Sequence, residues 1–78
     1  MEIRIQFFAS LRDTFGEWLD LSVKEGASAA DVLTALADLN PQAASLLGVS
    51  CCATDDRVLG KGEQVPATIC VFPPMSGG

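Results

Sequence analysis

Histidine is absent from this chain, and positive charge is scarce. Without histidine the commonest general base, the commonest metal ligand and every Ser-His or Cys-His dyad are gone. The five basic residues, Arg4, Arg12, Lys24, Arg57 and Lys61, are scattered along the chain. They form no stripe that could neutralise a phosphate backbone, which argues against nucleic acid as a partner. Apolar runs are far shorter than the ~20 residues of a membrane span. The first residues set Glu2 and Arg4 among alternating apolar side chains, unlike a signal peptide. The expectation is a cytoplasmic protein with no membrane partner. Cysteine occurs three times, at Cys51, Cys52 and Cys70. An odd number without a secretory signal argues against a disulfide framework. The domain is therefore expected to fold without metal or disulfide. No repeat, linker or low-complexity stretch interrupts the chain.

What is present suits one small globule. The chain has 78 residues and 49% of them are hydrophobic, enough for one domain with one core. A domain of this size buries only roughly 60% of its unfolded surface and is marginally stable. The net charge is −5. An acidic surface either steers a basic protein partner or simply keeps the chain soluble.

Hydrophobic spacing then places the elements. Glu2–Phe8 alternates, with Ile3, Ile5 and Phe7 on one side and Arg4 and Gln6 on the other, as a strand does. Ser10 is expected to cap a short helix through Phe15, with Gly16 at its left-handed end. Trp18–Val23 alternates again, with Leu19, Leu21 and Val23 inward, and Glu25-Gly26 reads as a turn. Ser28 and Asp31 have the spacing of a capping box. Val32, Leu33, Leu36 and Leu39 follow at helical spacing. Asn40-Pro41 closes that helix, because the residue before proline avoids α geometry. A further short helix is expected over Pro41–Leu47, closed by Gly48. Val49–Thr54 reads as a strand, Asp55-Asp56-Arg57 as a turn before Val58-Leu59, and Gly60–Gln64 as a polar loop. Thr68–Phe72 is apolar and β-branched, a buried strand.

The order is ββαββ, an α+β arrangement with one mixed sheet and one main helix across a face. A last strand beside the first requires a parallel crossover, which the helix supplies. This arrangement matches the β-grasp fold. Residues 1–74 are expected to form the domain and residues 75–78 a flexible C-terminal segment.

That segment holds the chemistry. Pro73 and Pro74 cannot donate to a ladder and stop the last strand. Both hold φ near −65°, so the chain leaves the sheet stiffly. Met75, Ser76, Gly77 and Gly78 extend at most roughly 13–14 Å beyond Pro74, far enough to enter a pocket on another protein. The rest of the sequence contains no strong catalytic set, whereas Gly78 carries an α-carboxylate. A carboxylate resists nucleophiles until it is activated, and ATP can activate it as an acyl adenylate that sulfide or a thiol then attacks. Glycine lacks a Cβ and lets an enzyme's backbone close around the chain.

FPPMSGG, Phe72–Gly78, closely resembles the end of the small subunit of molybdopterin synthase, and FFASLRDTFG, Phe7–Gly16, is similar to the start of that family. The resemblance implies a ubiquitin-like β-grasp sulfur carrier. It implies that an E1-like adenylyltransferase adenylates Gly78 with MgATP and that a sulfurtransferase supplies sulfur to form a thiocarboxylate. Gly78 would then enter the large subunit of molybdopterin synthase, in a heterotetramer, and give its sulfur to cyclic pyranopterin monophosphate. The catalytic pocket is expected on that large subunit, and no cofactor on this chain. Phe72, Pro73, Pro74, Met75, Ser76 and Gly77 would bind the partner, with Phe72 and the neighbouring apolar strand as docking surface. The chain departs from the family at Ala53-Thr54-Asp55 and Val65-Pro66-Ala67-Thr68, which leaves room for a different sulfur acceptor. A protein modifier that forms isopeptide bonds with lysines shares the chemistry up to the adenylate. A thiamine-pathway carrier is the third reading.

Other residues have blander readings. Cys51 and Cys52 are neighbours on a strand and point to opposite faces, so at most one is buried. Cys70 between Ile69 and Val71 is expected as a small core residue. Phe7 and Phe8 also face opposite ways, one to the core. Trp18 lies opposite Leu19 and Leu21, where it either joins a binding patch or covers a sheet edge.

Overall fold

A computed structural model describes residues 1–74. Four strands form one sheet: β1 (Glu2–Phe7), β2 (Trp18–Ser22), β3 (Cys51–Ala53) and β4 (Thr68–Phe72). Three helices accompany them: α1 (Ser10–Phe15), α2 (Ala29–Leu39) and α3 (Ala44–Gly48), the last preceded by a 3-10 turn at Pro41–Ala43. The strand order is β2-β1-β4-β3. β1 is central, antiparallel to β2 and parallel to β4, and β3 returns antiparallel to β4. The expected ββαββ order and mixed sheet are present, with the short helices added in the connections.

The core lies between one sheet face and α2. Ile3, Ile5 and Phe7 alternate inward from β1 and are at most 1% exposed. They join Ile69 and Val71 of β4, Val32, Leu33 and Leu36 of α2, Leu11 of α1 and Leu47 of α3 in one buried cluster. Phe15 closes one end by stacking on Phe7, with ring centroids 4.9 Å apart.

α2 starts where the capping box requires. Ser28 Oγ accepts from the Asp31 N–H at 3.2 Å, and Asp31 Oδ2 accepts from the Ser28 N–H at 3.0 Å. Those backbone bonds also hold the Asp31 carboxyl below its usual range. Two further donors of the first turn are taken by the following loop: Ala29 N–H binds Glu63 O and Ala30 N–H binds Lys61 O, each at 2.9 Å. The loop thus docks on the start of the helix.

Three local expectations change. Ser10 is the first residue of α1, not its cap; Ala9 holds the cap position with φ 54° and ψ −134°, and no side chain caps the helix. A positive φ is costly for alanine, so the turn from β1 into α1 is strained. Gly16 does have a positive φ, +91°, and closes the helix with its N–H on Arg12 O at 2.8 Å. Leu39 is exposed, because α2 ends at Leu39 and the chain turns away at Asn40-Pro41. The third strand is only Cys51–Ala53. Val49 and Ser50 close α3 instead, through N–H bonds to Leu46 O and Leu47 O and a 2.6 Å bond from Ser50 Oγ to Leu46 O. Val58 makes an isolated bridge to Ala53, while Leu59 is buried.

Candidate functional site

The site begins at the end of β4. This strand alternates strictly: Ile69 and Val71 are buried, while Thr68, Cys70 and Phe72 take the other face. Cys70 is therefore not a core residue. Its two neighbours are, and the period of two turns it outward beside Ala53 of β3 and Gln6 of β1. Phe72 lies opposite Cys51 and is half-buried. Pro73 is half-buried and Pro74 exposed, and both follow the strand directly. Met75, Ser76, Gly77 and Gly78 lie outside the described residues.

The register builds a row across this outer face: Trp18, Gln6, Cys70, Ala53. One residue beyond β1, the Phe8 N–H donates to Val71 O at 3.3 Å, which holds Phe8 beside the end of β4. Phe7 is wholly buried and Phe8 is 36% exposed, so the pair divides between the two faces. Trp18 is 44% exposed on the same side. Each exposed ring carries a guanidinium. Arg4 lies over Trp18 at 5.3 Å from the ring centroid and bonds Asp20 at 3.4 Å; Arg12 lies over Phe8 at 5.9 Å. An open cleft of about 500 Å³ runs between Phe8 and Trp18 on one side and Thr54 and Asp55 on the other, floored by Gln6 and Cys70.

The cysteines are free. Cys52 faces the core, and burial pushes its thiol up to about 11. Burial also raises the Cys70 thiol. Among the described residues, no three cysteine or acidic side chains converge as metal ligands, and no helix is long and apolar enough to cross a membrane. The arrangement is a partly exposed aromatic face beside the end of β4 and Pro73-Pro74.

Sequence reasoning missed the two arginine-on-aromatic pairs and the cleft with Asp55. Both depend on which strands lie side by side. The alternation of β1 alone cannot show that Gln6 neighbours Cys70.

No protein-family model matches the chain, and neither does any curated protein. Solved structures do. SAMP1 from Haloferax volcanii is 24% identical with a TM-score of 0.75, covering 100% of this chain and 100% of that one. A structure of H. volcanii small archaeal modifier protein 1 gives 22% and 0.77, over 95% and 98% of the two chains. A putative molybdopterin converting factor, subunit 1, from Pyrococcus furiosus gives 17% and 0.79, over 96% and 99%. The fold is the ubiquitin-like β-grasp. Its mixed sheet and packed helix match over nearly the whole length of each relative, so the β-grasp accounts for all of the described elements.

Proposed function

We propose that this β-grasp chain is a sulfur carrier, the small subunit of a molybdopterin synthase, and that its reactive group is the Gly78 carboxyl. The observation that supports this reading best is the course of β4. The strand is buried between β1 and β3, and it delivers the chain through Pro73-Pro74 at the border of the aromatic outer face. Partner docking on that face brings the following four residues to the partner. The likeness in fold to the Pyrococcus furiosus converting-factor subunit supports the same reading.

Loading takes two steps and transfer follows. The Gly78 carboxylate attacks the α-phosphate of MgATP on an E1-like enzyme and expels pyrophosphate. A persulfide of a sulfurtransferase, with a reductant thiol, or sulfide itself then displaces AMP and leaves a thiocarboxylate. On the large subunit the thiocarboxylate sulfur bonds to a carbon of cyclic pyranopterin monophosphate and displaces an oxygen leaving group, and water then cleaves the acyl–sulfur bond, which leaves the sulfur on the pterin and the carboxylate on Gly78. Gly77 has no Cβ to obstruct a narrow channel. Phe72, Pro73, Pro74, Met75 and Ser76 would be the residues that bind the partner beside it.

The test is where the chain ends. A residue added after Gly78 displaces the carboxyl by roughly 3.5 Å, and misplacement of even 1 Å can cost about 100-fold. Extension, deletion of Gly78 and Gly77→Ala should each leave the thermal midpoint unchanged and abolish or strongly reduce sulfur loading. Loading is read as the intact-mass gain of one oxygen exchanged for sulfur. Normal synthase activity from an extended chain that is not trimmed back to Gly78 would refute the carrier reading.

A second reading, a protein modifier, draws on the full-length likeness to SAMP1. Ladders of heavier conjugates in a lysate, linked through Gly78 to lysine, would favour it over a pure carrier.

A further inference from the structure

We infer that the outer-face cleft receives an arginine side chain from the partner protein. The inference deepens the docking face of the proposed function and rests on that reading for the partner's role. The cleft is walled by two exposed rings, Phe8 and Trp18, and its other wall carries Asp55. Among the described residues, Asp55 is the one charged residue lining it, and neither described ion pair uses it. Arg57, two residues on, is turned away onto Glu63. Asp55 thus lines the cleft without an ion-pair partner among the described residues. Gln6 adds a side-chain acceptor to the lining.

That combination matches one side chain. A guanidinium carries a flat apolar face for the rings and a fork of donors for the carboxylate. Its three-carbon stem lies on apolar surface while the head reaches the polar wall. Both rings already take a guanidinium outside the cleft: Arg4 lies over Trp18 and Arg12 over Phe8, and neither arginine lines the cleft. At about 500 Å³ the cleft is of the size that holds small ligands and has room for one arginine with flanking apolar atoms. The chain's net charge of −5 favours the approach of such a partner.

Trp18 is the only tryptophan and the chain has no tyrosine, so intrinsic fluorescence reports directly on this cleft. The full chain is titrated with acetyl-Leu-Arg-Leu-amide, with the same peptide carrying neutral citrulline, and with its lysine counterpart. Nitrogen-15 NMR shifts of the Gln6 side-chain amide and of Cys70 serve as a second readout. The arginine peptide should give a saturable change. Binding should weaken about tenfold or more for the citrulline peptide and for Asp55→Asn, as a charge-assisted hydrogen bond is lost. Asp56→Asn, on the same turn and outside the cleft, should bind as the parent does. Equal binding of the citrulline or lysine peptide, or an unaffected Asp55→Asn, overturns the inference. So does a Trp18 change that follows chain concentration without peptide, which would put a second copy on the cleft. Sulfur loading of Gly78 is measured on the same samples. Loading without arginine binding overturns this inference alone, and arginine binding without loading overturns the carrier reading alone.

Discussion

Cys51, Cys52 and Cys70 occupy adjacent positions on β3 and β4, yet burial separates them. Cys52 points to the core, its thiol is raised to about 11, and its Sγ lies 3.9 Å from Ala29 O. Cys51 and Cys70 are half-buried on the opposite face. A thiol acts as a nucleophile only as thiolate, so the buried one is the least able to carry sulfur. Iodoacetamide at pH 8 should modify Cys51 and Cys70 in the folded chain and reach Cys52 only after unfolding, as read by mass mapping. The chain with Cys51→Ser, Cys52→Ala and Cys70→Ser together should still take up sulfur on Gly78. Loss of uptake in that folded variant would assign the sulfur to a cysteine. The opposed faces of Cys51 and Cys52 were legible from adjacency alone. The outward turn of Cys70 was not read correctly, because an unbroken apolar run, Ile69-Cys70-Val71, hides its alternation until one face is known to be covered.

The loop between β3 and β4 shows what a polar stretch can hold at the scale of an element. Its glycines and charges read as a loop in the sequence, but its work depends on Glu63. Both carboxylate oxygens of Glu63 bond Arg57, and Oε1 also accepts from the Gly60 N–H at 2.8 Å. The Arg57 guanidinium, followed by the Gly60 N–H, lowers the Glu63 pKa from 4.5 to about 2. A folded-state pKa below the unfolded value means that the ionised group favours the folded chain. That contribution is complete above about 4.5 and is lost as pH falls toward about 2. Glu63→Gln should lower the thermal midpoint at neutral pH and flatten its pH dependence across that window. Because the pair is largely exposed, added salt should shrink the difference between parent and variant. A midpoint that falls equally in both chains across the window would remove Glu63 as a cause. The capping box, β4 and the end of α2 were all legible, since each rests on side chains within four positions. The short third strand was not: Val49 looks like strand, but Ser50 and Val49 are captured by the carbonyls at the end of α3.

At the scale of the whole molecule, one face of the sheet is buried in the core and the other is left open, and neighbouring residues at the end of the first strand divide between them. Ile5 is fully buried on the core face. Phe8 is 36% exposed on the other, under Arg12. Truncating Ile5 removes buried atoms and leaves a cavity, at a cost of about 2–5 kcal/mol. Stabilities of whole domains are only about 5–15 kcal/mol, and this one is small, so Ile5→Ala should unfold early or fail to fold. Truncating Phe8 removes a partly exposed ring and its Arg12 contact, so it costs less than opening a cavity in the core. Aromatic anchors at interfaces, by contrast, can cost about 2 kcal/mol or more in binding. Under the proposed function, Phe8→Ala should therefore lower the thermal midpoint less than Ile5→Ala does and lose at least about tenfold in affinity for the large synthase subunit. Calorimetry for the midpoint and titration of purified large subunit for the affinity separate the two effects. If Phe8→Ala binds as tightly as the parent, the outer face is not where this chain meets its partner, and the reading of Phe8, Trp18 and Phe72 as one docking surface fails with it.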